Sequence, residues 1–177
     1  YKTYDYRVRS YRKRCRSPMY YFDKNLFKSF VEYIIDEVNL KIIRYETIKG
    51  DHIAKNSKEF INILKQLKYL NENQIVHGDL RLYNMVFNHS DPSSSSLIDF
   101  DYCGIANKGN YPEGIIKVPD GIRTKSMLKG EQMNVESDIT CMIACMDYFT
   151  SNNNKWKKCQ ELLKKNKYVK AIKVLEN

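Results

Sequence analysis

Three oxygen-bearing side chains stand close together in this 177-residue chain: Asp79, Asn84 five residues on, and Asp99 fifteen residues beyond that. Asp79 and Asn84 fall in the stretch IVHGDLRLYNMVF, which reads as a short strand running into a loop. Asp99 follows the apolar piece Leu97–Ile98. Asn84 and Asp99, brought together across a small hairpin, suit a hard divalent cation such as magnesium. Asp79 is then free to accept a proton from an attacking hydroxyl, the division of labour that phosphoryl transfer requires. Arg81 puts a positive charge two residues from Asp79, where it can face a phosphoryl group in transit. A plainer reading stays open for each: Asp and Asn also close turns and satisfy local backbone.

The elements that must position these residues show in the pattern around them. Asn56-Ser57-Lys58-Glu59 has an N-cap and a capping-box acid. Phe60, Ile63, Leu64, Leu67 and Leu70 follow at helical spacing, which predicts a helix ending near residues 71–73. Met85-Val86-Phe87 and Leu97-Ile98 flank the turn-forming NHSDPSSSS and predict a small hairpin. Residues 19–36 read as two short strands around the turn DKN, and 37–56 as loop with a short helix. The stretch 102–136 holds five of the seven glycines and two of the four prolines, so a long, irregular, partly mobile loop is expected. A central helix is predicted over 137–149, apolar nearly all round. Basic helices are predicted from Asn154, with Trp156, Leu162, Leu163, Val169 and Ile172 inward. The organisation is thus a basic N-terminal segment over 1–36, a body over 37–150 and basic helices over 151–177.

Composition limits the alternatives. With 42% hydrophobic and 29% charged residues the chain is an ordinary globular sequence, and no apolar run reaches membrane-spanning length. The net charge of +9 resolves into +6 over residues 1–20, +6 over 151–177 and −3 between them. A whole-domain nucleic-acid binder needs a basic working face, so contact with nucleic acid is left to the two ends. Of five cysteines, Cys141 and Cys145 lie four apart in an apolar segment and read as small core residues. No zinc spacing is present, and the usage points to a reducing, intracellular setting. The chain opens on Tyr1, which reads as a fragment or trimmed product.

The stretch His77-Gly78-Asp79-Leu80-Arg81-Leu82-Tyr83-Asn84 resembles the protein-kinase-like catalytic loop H-x-D-x-x-x-x-N, and Asp99-Phe100-Asp101 resembles that superfamily's D-F-G motif. Ser137-Asp138-Ile139 is similar to the start of the central helix of the kinase C-lobe, and Tyr111-Pro112-Glu113 to the end of an activation segment. The resemblance implies an α+β fold: a kinase-like C-lobe, mainly helical with short β-hairpins, its N-lobe truncated or missing. It implies transfer of the γ-phosphate of ATP to a hydroxyl, on a protein substrate first of all, with Mg2+. In that scheme Asp79 is the base or orienting group and Asn84 and Asp99 hold magnesium. Arg81 stabilises transferring charge, Asp138 braces the loop's backbone and His77 packs beneath it. Phe30–Ile34 would match the hinge, with Glu32 and Tyr33 near the nucleotide. The HGD-L-R-x-x-N and L-I-D-F-D strings, Y-P-E-G and Asp120-Gly121-Ile122-Arg123 are similar to Crinkler-type effector kinase-like domains. That likeness implies delivery into a host cell and often its nucleus. The basic run at 7–16 would then serve nuclear import, or simply be a solvated end.

Three departures from the pattern matter. Gly78 stands where many protein kinases have the Arg that reads activation-segment phosphate, so such control is not expected, and a small-molecule kinase becomes an alternative. Asp101 replaces the motif's Gly and its backbone freedom. No glycine precedes Gly50, and Lys24 and Lys28 make no convincing phosphate-contacting Lys. Either the N-lobe lies upstream or it is absent. A pseudokinase, a binding scaffold without a nucleotide lid, is therefore the second alternative.

Overall fold

The computed structural model describes residues 30–35, 41–45, 50–115, 122–149 and 154–177. The basic run at 7–16, Lys24, Lys28, Cys15, Asp120 and Gly121 lie outside these, as does the first arm of the expected strand pair.

Two strands open the described part. β1 (Phe30–Ile35) pairs antiparallel with β2 (Lys41–Tyr45), with Tyr33 opposite Ile43 and Ile34 opposite Ile42. This corrects one expectation. Residues 41–45 form a strand rather than loop with a short helix, and the expected pairing across the DKN turn falls on residues outside the described ones. The β-branched doublet Ile42-Ile43 fits a pleated ribbon better than a helical turn.

Helix α1 spans Ser57–Glu72. The Asn56 side chain accepts from Lys58 N. Glu59 modifies the capping box: its Oε2 accepts from Lys55 N at 2.7 Å, one residue before the cap, and its Oε1 takes the Asn56 amide at 3.1 Å. The apolar stripe Phe60, Ile63, Leu64, Leu67 and Leu70 is fully buried, and each such side chain contributes about 2 kcal/mol of transfer free energy.

Four two-residue strands then form two small ribbons. β3 (Ile75–Val76) pairs with β6 (Gly104–Ile105), and β4 (Met85–Val86) with β5 (Ser96–Leu97), both antiparallel. The second is the expected hairpin, with Met85 opposite Leu97. The buried Gln66 of α1 holds it: Oε1 accepts from Leu97 N at 2.8 Å, and Nε2 donates to the Ser95 carbonyl at 3.2 Å.

The glycine-rich stretch is more tied down than expected. Met133 N donates to Gly109 O at 2.8 Å, Asn107 N to Met133 O at 2.9 Å and Tyr111 N to Glu131 O at 3.0 Å. These bonds join its two ends into a broad loop whose base is ordered, with the one-turn helix α2 (Lys125–Leu128) inside it. Helix α3 (Val135–Asp147) starts two residues before the expected boundary because Asn134 caps it, accepting from Ser137 N at 2.8 Å.

Helices α4 (Asn154–Leu163) and α5 (Tyr168–Glu176) pack into the same core as α1. Ser57 Oγ donates to the Leu175 carbonyl, and Asn71 Nδ2 donates to the Tyr168 hydroxyl. Trp156, Leu163 and Ile172 are buried as expected, but Val169 is 56% exposed. The buried stripe of α5 is Tyr168, Ala171, Ile172 and Leu175, and Val169 falls a third of a turn off it.

Candidate active site

β3 delivers the chain into a loop that α3 holds from beneath. Asp138, in the first turn of α3, accepts from His77 N at 2.6 Å and from Gly78 N at 3.1 Å. Gly78 has φ +79°, and a Cβ there would collide with the carbonyl of Tyr102. Only glycine meets both demands, so the kink that presents Asp79 excludes the Arg common at this position in the resembling loops.

His77 packs under the loop. Its ring packs tilted against Phe100 with centroids 4.6 Å apart, Nε2 meets the Ile98 carbonyl at 3.0 Å, and Nδ1 accepts from Asp79 N at 3.3 Å. This pattern fixes a neutral ring with its proton on Nε2. Burial agrees, pulling the His77 pKa down to about 4. One imidazole thus joins the Asp79 loop to the strand end that carries Asp99.

The loop closes on itself through Asn84, whose Nδ2 donates to the Asp79 carbonyl at 2.8 Å, leaving Oδ1 as the side chain's acceptor. The Ile98 N–H donates to the Asn84 carbonyl at 3.0 Å, tying Asn84 to the residue before Asp99. Asp99 adopts φ +59°, uncommon for a non-glycine residue and typical of strained functional turns. Part of Asp99 is open to solvent, yet packed protein on its other side raises its pKa by desolvation, and the charges of Asp101 and Asp79 raise it further.

A carboxylate facing two others has a reason to gather a cation. Among the described residues no three His, Cys, Asp or Glu side chains form a cage by themselves. The Asn84 and Asp99 side chains carry oxygens of the kind magnesium accepts when phosphate oxygens complete its shell. The residues present fit that ion.

Asp79 is nearly buried and flanked by two guanidiniums. Arg81 Nε lies 3.4 Å from Oδ1. Arg123 makes an ion pair with the same oxygen through Nη2. Nothing local to Asp79 marks Arg123 as its neighbour: it lies 44 positions further along, as the last residue of Asp120-Gly121-Ile122-Arg123. Glu32 and Tyr33 sit in β1, opposite Arg44 and Ile43. Cys103, Cys141, Cys145 and Cys159 are buried thiols, and no described helix is long and apolar enough to cross a membrane.

Residues 41–107 match the phosphotransferase enzyme family APH. A human protein, serine/threonine-protein kinase VRK2, is 30% identical over 93 residues, which cover 49% of this chain and 18% of that protein. The solved structure of vaccinia related kinase 3 superposes with a TM-score of 0.52 at 17% identity, covering 84% of this chain and 54% of the other. The chain thus spans only part of the length of these relatives. Its sequence matches lie among phosphotransferases and kinases, and its α+β architecture is that of a protein-kinase-like C-lobe.

Proposed function

We propose that the chain is the C-lobe of a phosphotransferase that moves the γ-phosphate of ATP to a hydroxyl, on a protein substrate first. The observation that carries this reading is the joining of the Asp79–Asn84 loop to the Asp99 turn through His77 and the Ile98 backbone. Asp79 accepts the proton of the acceptor hydroxyl and aims its oxygen. Asn84 and Asp99 would hold Mg2+, whose chemistry when bound is to neutralise phosphate charge. Arg81 faces the transferring group. Asp138 and His77 hold the loop so that these side chains keep their spacing while the acceptor comes and goes. The VRK2 match supports a protein acceptor. The Crinkler-type reading, with action in a host cell, rests on the motif strings alone.

The Arg123–Asp79 ion pair favours a second reading, a pseudokinase scaffold whose acidic side chain is permanently engaged. Calorimetric titration of Mg-ATP into the chain and into Asp99→Asn separates the two. The catalytic reading expects binding that needs magnesium and is lost in the variant. It also expects phosphotransfer to fall at least about a hundredfold in Asp79→Ala. Binding without turnover, unchanged by Asp79→Ala, points to the scaffold.

A further inference from the structure

Arg123 is positioned with unusual care for a residue outside any helix. The carbonyl of Ile122 before it accepts from Cys141 Sγ at 3.3 Å. Thr124 after it shares its hydroxyl with Ser137 Oγ at 3.0 Å and caps α2. Both anchors, Ser137 and Cys141, belong to α3, the helix that also holds the Asp79 loop through Asp138. The guanidinium and the carboxylate are therefore fixed to one support.

The guanidinium is only 4% exposed and uses Nη2 on Asp79. Its Nε and Nη1 are buried and have no hydrogen-bond partner. A buried charged donor without an acceptor is costly, and native proteins keep such groups rarely. Guanidinium is the side chain best shaped to hold two oxyanions at once through separate N–H groups. One of those oxyanions is already present as Asp79.

We infer that Arg123 is a specificity residue: one of its free N–H groups, at Nε or Nη1, donates to an oxyanion, carboxylate or phosphate, that the acceptor carries close to its reacting hydroxyl. A single guanidinium then spans Asp79 and the acceptor's anion, which sets the hydroxyl beside the Asp79 carboxylate. A neutral acceptor leaves that donor unsatisfied and is discriminated against for that reason. This inference rests on the phosphotransfer reading of the site.

The test titrates the full 177-residue chain with two pairs of probes by calorimetry. One pair is a serine peptide flanked by glutamates and the same peptide flanked by glutamines. The other is glycerol 3-phosphate and glycerol. The expected result is that the glutamate peptide binds about tenfold tighter than its neutral twin, the size of one charge-assisted hydrogen bond. Selectivity in the glycerol pair alone supports the same subsite with a small alcohol as acceptor. Arg123→Gln abolishes the ratio, and Arg123→Lys, which keeps the charge without the fork, restores part of it. Equal binding within both pairs by the unaltered protein overturns the inference, as does a ratio undiminished in Arg123→Gln. Mg-ATP titrated into the same sample separates the two levels. Anion selectivity without Mg-ATP binding keeps the subsite and removes the phosphotransfer reading. Mg-ATP binding without anion selectivity does the reverse.

Discussion

Asp138 and His77 lie 61 residues apart, yet the carboxylate of one accepts the backbone N–H of the other at 2.6 Å, in the same buried pocket as the His77 ring. Two ionisable groups thus support the Asp79 loop, and burial acts on them in opposite senses. It pulls the His77 pKa from 6.5 down to about 4 and pushes that of Asp138 from 3.8 up to about 7.

The pH dependence of stability follows from those directions. Between about pH 4 and 6.5 the unfolded chain protonates His77 and the folded chain does not, so His77 adds stability as pH rises. Over the same window the folded chain keeps a proton on Asp138 that the unfolded chain releases, so Asp138 removes stability as pH rises. Each slope is about 1.4 kcal/mol per pH unit, and the two oppose. In Asp138→Asn the His77 slope is no longer opposed by that of Asp138. The variant's melting temperature should therefore drop more steeply than that of the unaltered protein as pH is lowered from 6.5 to 4. Parallel curves would remove the opposed pair.

Gly78 tests the backbone of the loop. Gly78→Ala must relieve a collision with the Tyr102 carbonyl and hold φ +79° with a Cβ. We expect a loss of about 1–3 kcal/mol, read as a lower urea midpoint at unchanged m-value. Gly78→Arg, which rebuilds the common kinase string, should lose more, not gain phosphate control.

These residues also show what could be read from the chain alone. The HGD loop, the capped α1 and the hairpin around Asn84 and Asp99 are local features, written in spacing and turn chemistry, and they were readable. Lys41–Tyr45 was not: with one apolar doublet, the pairing with β1 decides its state. The base of the 102–136 loop was expected to be irregular, because its order comes from backbone bonds such as Met133 to Gly109, which leave no side-chain pattern. Arg123 is the largest omission at the site. A buried ion pair formed across 44 residues needs the fold before it has a meaning.

Gln66 tests the attachment of the β4–β5 hairpin to α1. Gln66→Leu keeps the volume but leaves Leu97 N–H without its acceptor and takes one of the two donors, beside Asn62, from the Ser95 carbonyl. The expected loss is about 2 kcal/mol, with faster amide exchange at Leu97 than at Leu64 of α1. A loss confined to global stability, with no extra opening at Leu97, would separate Gln66 from the hairpin.

His89 ties the far end of that hairpin to the start of α1. Nδ1 lies 2.7 Å from Glu59 Oε1 and Nε2 2.7 Å from Asp51 Oδ2, so both ring nitrogens face carboxylates. Only the imidazolium can donate to both, and its hydrogen bonds to Glu59 and then Asp51 raise the His89 pKa. A raised histidine contributes stability that is complete below 6.5 and is lost as pH climbs through the folded value. The unaltered protein should therefore lose stability on the alkaline side of 6.5. His89→Gln, which bears no proton to release, should be less stable at pH 6 and show no such decline. The decline matters for the site because Asp51 also bridges to Phe87, next to β4, through backbone bonds of 3.1 and 2.8 Å. Loosening of the Asp51–His89 contact should thus appear first as faster amide exchange at Phe87, before the Asp79 loop itself opens.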